Sequence, residues 1–230
     1  RSALEIQAAL DRMGAVLGTS GELENSEVSL DTLQKHLAPA MELMADIVLN
    51  PSFPDSELER QKKLRLDDIL QERNYPSSIA RKLFRSLLFG AHHPYGKEVA
   101  GNEASIQAIS REHLLKYYQR FWKPNHTALI FTGDIRLEEA VRLSEDWLGK
   151  WSPIEVPKIE IPIVSPPKNL RIYLVDRQDA PQSQIRLGSV GPKRTTTDHH
   201  AIELLNTVMG GSFSSRLNLN LREDKGWTYG

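Results

Sequence analysis

Cysteine is absent from all 230 residues. That excludes a disulfide framework, a thiolate metal site and a cysteine nucleophile. No apolar run approaches the roughly 18 residues that cross a bilayer as a helix. No block of like charge stands out, because 29 Lys and Arg are interspersed with 30 Asp and Glu, for a formal net charge of −1. Neither a nucleic acid nor an acidic membrane surface is therefore the expected partner. No signal peptide is visible, but the chain opens at Arg1 rather than Met. It reads as a piece of a longer protein, so this lack says little about the native chain. The apolar content of 40% is ordinary and sufficient for a buried core.

The residues that are present order themselves as helices with a few β-like runs. "ALEIQAALDRMG" places Leu4, Ala8 and Leu10 near one face, flanked by Ile6 and Met13, with Gly14 as a stop. Residues 15–20 and 26–33, separated by Gly21 and Asn25, predict a hairpin. Leu37, Met41, Met44 and Val48 recur at helical spacing up to Asn50-Pro51. Asp55 or Ser56 is the expected cap of a charged helix reaching about Asn74, and Pro76 to Gly90 bounds another. Ser110 is the expected cap of "REHLLKYYQRFW", and "RLEEAVRLSEDWLGKW" returns to helical period. The apolar run "HTALIFTGD" has the length of a buried strand, and "LRIYLVD" and "SQIRLGSV" are β-like. Together these predict an α+β fold with helices packed on a mixed sheet. The proline-rich stretch over 152–168 marks a linker. The expected division is one nearly complete domain over 1–151, lacking its opening strands, and the start of a second, similar domain over 169–230.

Six segments, in order, carry a resemblance to a known family: "LDRMGAVLGTS", "LMADIVLNPSFPDSELERQKK", "HPYGKEVAGNEASIQAISREHLLKYYQRFWKPNHTALIFTGD", "WLGKW", "DAPQSQIRLG" and "MGGSFSSRLNLNLREDKGWTYG". The chain resembles the pitrilysin/insulinase zinc peptidases, which include mitochondrial processing peptidase and many bacterial homologues. The resemblance implies similar α+β domains joined in pairs, two such pairs forming a clamshell around a peptide chamber. Active members carry H-x-x-E-H on a helix, two His binding zinc and the Glu acting as general base. A Glu from a later helix completes three protein ligands, and water takes the fourth position.

None of the seven histidines, His36, His92, His93, His113, His126, His199 and His200, begins H-x-x-E-H or H-E-x-x-H. In the family that motif lies just before the helix that opens this chain, so it would fall upstream of Arg1. The visible proxy is "LRLDDILQER" at 64–73. Active relatives have two Glu seven residues apart on this helix, nearly two turns, so that both face the metal. The matching positions here are Gln61 and Asp68. Gln61 has no charge, and Asp68 is shorter than Glu by roughly 1.5 Å. Arg65 falls on the same face, where it repels zinc and is a natural partner for Asp68. These positions read as a ligand helix that has lost its metal. The plainer alternative is a solvated charged face.

Arg222 and Tyr229 match the family's second-half motif. The resemblance makes them donors to a substrate carbonyl or oxyanion across the chamber. The alternative is that Arg222 pairs locally with Glu223 or Asp224 and Tyr229 packs in the core. "GGSFSSR" lacks the ending of a phosphate loop. The two His-His pairs suit loop packing and a helix N-terminus better than a metal, and the four Trp suit core or domain-junction positions.

Two functions are expected from the resemblance. One is a non-catalytic, peptide-binding half of a clamshell protease, with a peptide substrate and a zinc-bearing family partner or a homodimer. The other is a piece of an active zinc metalloendopeptidase, with zinc as cofactor. A bacterial periplasm is the expected compartment, with the cytoplasm as the alternative.

Overall fold

The computed structural model describes residues 1–229. Its contacts divide the chain into two units, one of residues 1–164 with 172–187, the other of residues 165–171 with those from 188 onward.

In the first unit, α1 (Ala3–Met13) begins at Ser2. The Ser2 hydroxyl accepts from the Glu5 N–H and the Glu5 carboxylate accepts from the Ser2 N–H, a reciprocal cap. The helix ends at Gly14, whose φ of 58° glycine adopts without a Cβ clash. Its buried face is Ile6, Ala9, Leu10 and Met13 rather than the expected Leu4, Ala8 and Leu10, since Leu4 and Ala8 face solvent. The reason is what covers it: Leu17 and Leu30 of the hairpin and Leu43 and Ile47 of the next helix all pack on that side.

The hairpin forms as expected. β1 (Val16–Gly21) and β2 (Ser26–Asp31) pair antiparallel, with Val16 opposite Asp31 and Gly21 opposite Ser26. α2 (Leu37–Leu49) is the most deeply buried helix, through Ala40, Met41, Leu43, Met44 and Ala45. α3 (Asp55–Glu72) is capped at Pro54, with no side-chain cap, so Asp55 and Ser56 do not serve. Pro54 holds the extended backbone itself, and Asp55 and Glu57 instead lie in the first turn, where their charge suits the helix dipole. α4 (Pro76–Phe89) opens on Pro76 and closes on Gly90.

A loop leads to α5 (Glu103–Ala108) and α6 (Arg111–Phe121), which is capped by Ser110 as expected. α6 fixes the turn between α2 and α3. The Tyr118 hydroxyl lies 2.7 Å from the Val48 carbonyl and 3.0 Å from that of Leu49. Arg111 donates to the Phe53 and Ser52 carbonyls at 3.0 and 3.1 Å. The Tyr118 bonds occupy carbonyls that the end of α2 leaves without helical partners, and the Arg111 bonds occupy carbonyls of the loop that follows it. α7 (Leu137–Leu148) packs on α2 and buries Ala140 and Leu143.

Two-stranded pairing is the whole of the sheet among the described residues. "HTALIFTGD", "LRIYLVD" and "SQIRLGSV" form no strand, contrary to the strand expectation. Ile130 is 80% exposed and Leu174 is 94% exposed. An apolar run becomes a buried strand only where a neighbouring strand meets its N–H and C=O groups, and none does so among the described residues.

The second unit carries α8 (His199–Asn206), a wide π-type turn over 207–211, the single turn α9 (Arg216–Asn218) and a second π-type stretch over 219–224. His199 and His200 open α8, their rings 5.4 Å apart at 65°. Trp227 is 73% exposed instead of buried, and the Lys225 ammonium lies 4.6 Å from its ring centroid.

Candidate functional site

α3 is polar on nearly every side, with Ile69 its only fully buried residue. Residues 61, 65, 68 and 72 recur at steps of three and four and share one stripe. Gln61 and Asp68 are both exposed, and the Asp68 side chain keeps 63% of its surface open to solvent. Arg65 is more enclosed and is held at three points. Its Nε donates to the Ala100 carbonyl at 3.1 Å, and its Nη1 lies 3.0 Å from Glu72 Oε1 and 3.8 Å from Asp68 Oδ2.

Asp68 is thus a looser partner of Arg65 than expected, and Glu72 is the principal one. Glu72 lies two turns along from Arg65, so the pairing follows helical spacing. Its other oxygen meets Lys82 Nζ, from α4, at 2.5 Å. The Lys82 and Arg65 hydrogen bonds hold the Glu72 carboxyl below its ordinary range, against the opposing effect of partial burial. The expectation named only Asp68; Glu72 lies on the same stripe by helical spacing, while nothing in the sequence pointed to Lys82 or to the Ala100 carbonyl. Those contacts depend on how α4 and the 90–102 loop fold back on α3.

These donors do not suit zinc. Among the described residues no three His, Cys, Asp or Glu side chains cluster at ligand distances. Position 61 offers only an amide. A divalent ion at Asp68 would be repelled by a guanidinium anchored by the Ala100 carbonyl and Glu72.

The second pair of sequence candidates meets within the second unit. Arg222 Nη1 donates to the Tyr229 carbonyl at 2.9 Å, and its Nε lies 3.3 Å from Glu223 Oε1. The contact thus uses the Tyr229 main chain, while the Tyr229 side chain stands 86% exposed rather than in a core. Gly226, at a φ of 63°, turns the chain back so that Tyr229 reaches Arg222. The Arg222 guanidinium also lies over the Phe213 ring, 4.6 Å from its centroid. No spacing rule drew attention to Phe213. Its place in "GGSFSSR" is set by a turn, not by a helix or strand period.

Elsewhere, His93 is buried and both its ring nitrogens are engaged, Nδ1 accepting from the Tyr95 N–H at 3.0 Å and Nε2 meeting the Pro162 carbonyl at 2.9 Å. The ring stacks on Phe89. Loop packing, as expected, accounts for this histidine.

Comparison with known proteins identifies the family. Residues 1–101 match the family model described as "Insulinase (Peptidase family M16)", and residues 108–230 match "Peptidase M16 inactive domain". An "Uncharacterized zinc protease" of Mycobacterium leprae is 28% identical over 236 residues, covering 100% of this chain and 52% of the relative. The crystal structure of a peptidase M16 inactive domain from Pseudomonas fluorescens superposes with a TM-score of 0.84 at 24% identity, covering 100% of this chain and 56% of that one. A protease from Helicobacter pylori gives 0.80 at 18% identity, with 98% and 55% covered. The chain spans about half the length of the curated relatives it matches. Among the described residues no helix is long and apolar enough to cross a membrane.

Proposed function

The chain belongs to the insulinase family of peptidases, and from that premise we propose that it is a non-catalytic member. It supplies a peptide-binding half of a clamshell protease, the zinc being carried by a family partner chain. The observation that carries this reading is the state of the ligand helix: Gln61 in place of a carboxylate, and Arg65 anchored beside Asp68 by Glu72 and the Ala100 carbonyl. In this reading a salt-bridged cation takes the place of the metal charge. In the same reading Arg222 and Tyr229 serve as donors to the bound peptide's carbonyl groups, for which the guanidinium fork and phenol hydroxyl are chemically suited.

The second reading is a piece of an active zinc endopeptidase. It is favoured by the names of relatives, since the Mycobacterium leprae protein is called a zinc protease over a length about twice that of this chain. The exposed Asp68 would then be the third ligand, after release from Arg65. Either form suits a bacterial periplasm, our proposed compartment, or the cytoplasm.

The test uses the full-length protein, purified alone, and dye-labelled β-casein as an unfolded polypeptide. The non-catalytic reading expects binding without cleavage. Cleavage that a chelator abolishes contradicts it and selects the endopeptidase.

A further inference from the structure

The surroundings of Arg222 carry one more assignment. Arg222 is a long side chain, and an arginine on a surface samples many orientations unless its plane is held. Here it is held in three directions. The Tyr229 carbonyl fixes Nη1, Glu223 lies beside Nε, and the Phe213 ring lies 4.6 Å beneath the guanidinium carbon. The first two contacts lie along the edges of the fork, and only the ring restrains the flat face.

The turn that presents Phe213 is itself built to hold still. The Ser215 N–H donates to the Ser212 carbonyl at 3.1 Å, and the Asn218 side-chain amide donates to the same carbonyl at 3.3 Å. The Ser215 hydroxyl accepts from the Asn218 N–H at 3.4 Å, and Ser215 is almost wholly buried. Phe213 by contrast is 62% exposed, so it adds little to a core. An aromatic residue left open on a pinned turn, with a guanidinium over its face, has the geometry of a cation–π support.

We propose that Phe213 is a positioning residue for Arg222, setting the plane in which the guanidinium meets a carbonyl or carboxylate of a bound peptide. The assignment rests on the peptide-binding reading of Arg222 given above. The ring quadrupole holds the cation without consuming any N–H donor, so the stack orients Arg222 and leaves its hydrogen-bonding capacity for the ligand. An aliphatic residue of similar bulk at 213 would fill the space without fixing the plane.

The experiment is a double-mutant cycle on the full-length protein, with dye-labelled β-casein as the probe and the Arg222 side-chain NMR resonances as an independent readout. Phe213→Leu is expected to weaken binding roughly two- to fivefold, and Phe213→Tyr is expected to restore it. In an Arg222→Ala background Phe213→Leu should change nothing further. The Arg222 Nε–H and Hδ resonances should lose their ring-current shift in Phe213→Leu and keep it in Phe213→Tyr. A Phe213→Leu loss that persists without Arg222 overturns the proposal, because the ring then touches the peptide itself. Unchanged affinity with unchanged Arg222 resonances also overturns it. If the resonances respond to Phe213 while Arg222→Ala binds normally, the stack is real, but the peptide-binding reading fails and takes the functional role with it.

Discussion

Glu72 receives cations from two helices, Lys82 at 2.5 Å and Arg65 at 3.0 Å. Its carboxyl titrates below the ordinary value of 4.5. The ionised form therefore contributes stability at neutral pH, and that contribution is lost as pH falls from about 4.5 through the lowered folded value. Glu72→Gln is expected to cost about 1 kcal/mol at pH 7, read by urea unfolding, and to cost much less below the folded value, where wild type has lost the charge as well. An equal cost at both ends of that range would show that the ion pairs contribute nothing. In the second unit, Arg222→Ala should weaken β-casein binding at least about tenfold, the loss of a charged donor. Affinity within a factor of two of wild type would remove Arg222 from the site. At this scale the sequence was legible where helical spacing decided the outcome. Gln61, Arg65 and Asp68 share a face because they sit three and four residues apart. Lys82 and Phe213 carry no such signal, because Lys82 reaches Glu72 and Phe213 reaches Arg222 from separate segments, and no local pattern encodes either meeting.

Helix ends were the most legible elements, because capping is local chemistry. Gly14, Pro76, Gly90 and Ser110 all stand at the ends their residue types predict. Gly14→Ala should cost about 1 kcal/mol or more, since its φ of 58° strains any residue with a Cβ. A thermal midpoint equal to wild type would contradict that cost. The cap of α3 falls at Pro54, one or two residues before the expected Asp55 or Ser56, because Pro54 supplies the extended dihedrals without any side-chain hydrogen bond. The β-like runs were the least legible elements. "HTALIFTGD" has the composition of a strand, but a strand depends on a partner that composition does not name. The tie from α6 to the end of α2 was equally invisible, since it spans 70 residues. Burial pushes the Tyr118 phenol above its ordinary range. Tyr118→Phe removes the donor to Val48 and Leu49 and should cost about 1–2 kcal/mol in chemical denaturation. No loss would mean that water serves those carbonyls as well.

For the whole molecule, membership of the insulinase family is shown over both halves of the chain, and the α+β fold is shared with solved family structures. The family was legible in the sequence because its motifs recur in order along nearly the whole chain, each weak alone. Activity was not legible in the same way, because it depends on a few ligand positions and on length beyond this chain, which spans about half of its relatives. The central claim is that α3 carries Arg65 and Gln61 in place of a working ligand set, so that this protein binds no zinc of its own. Elemental analysis of the full-length native protein, purified alone and without chelator, tests that claim most directly. The account predicts no stoichiometric zinc. About one zinc per chain, lost on Asp68→Ala, would contradict it and make Asp68 a working ligand of an active peptidase.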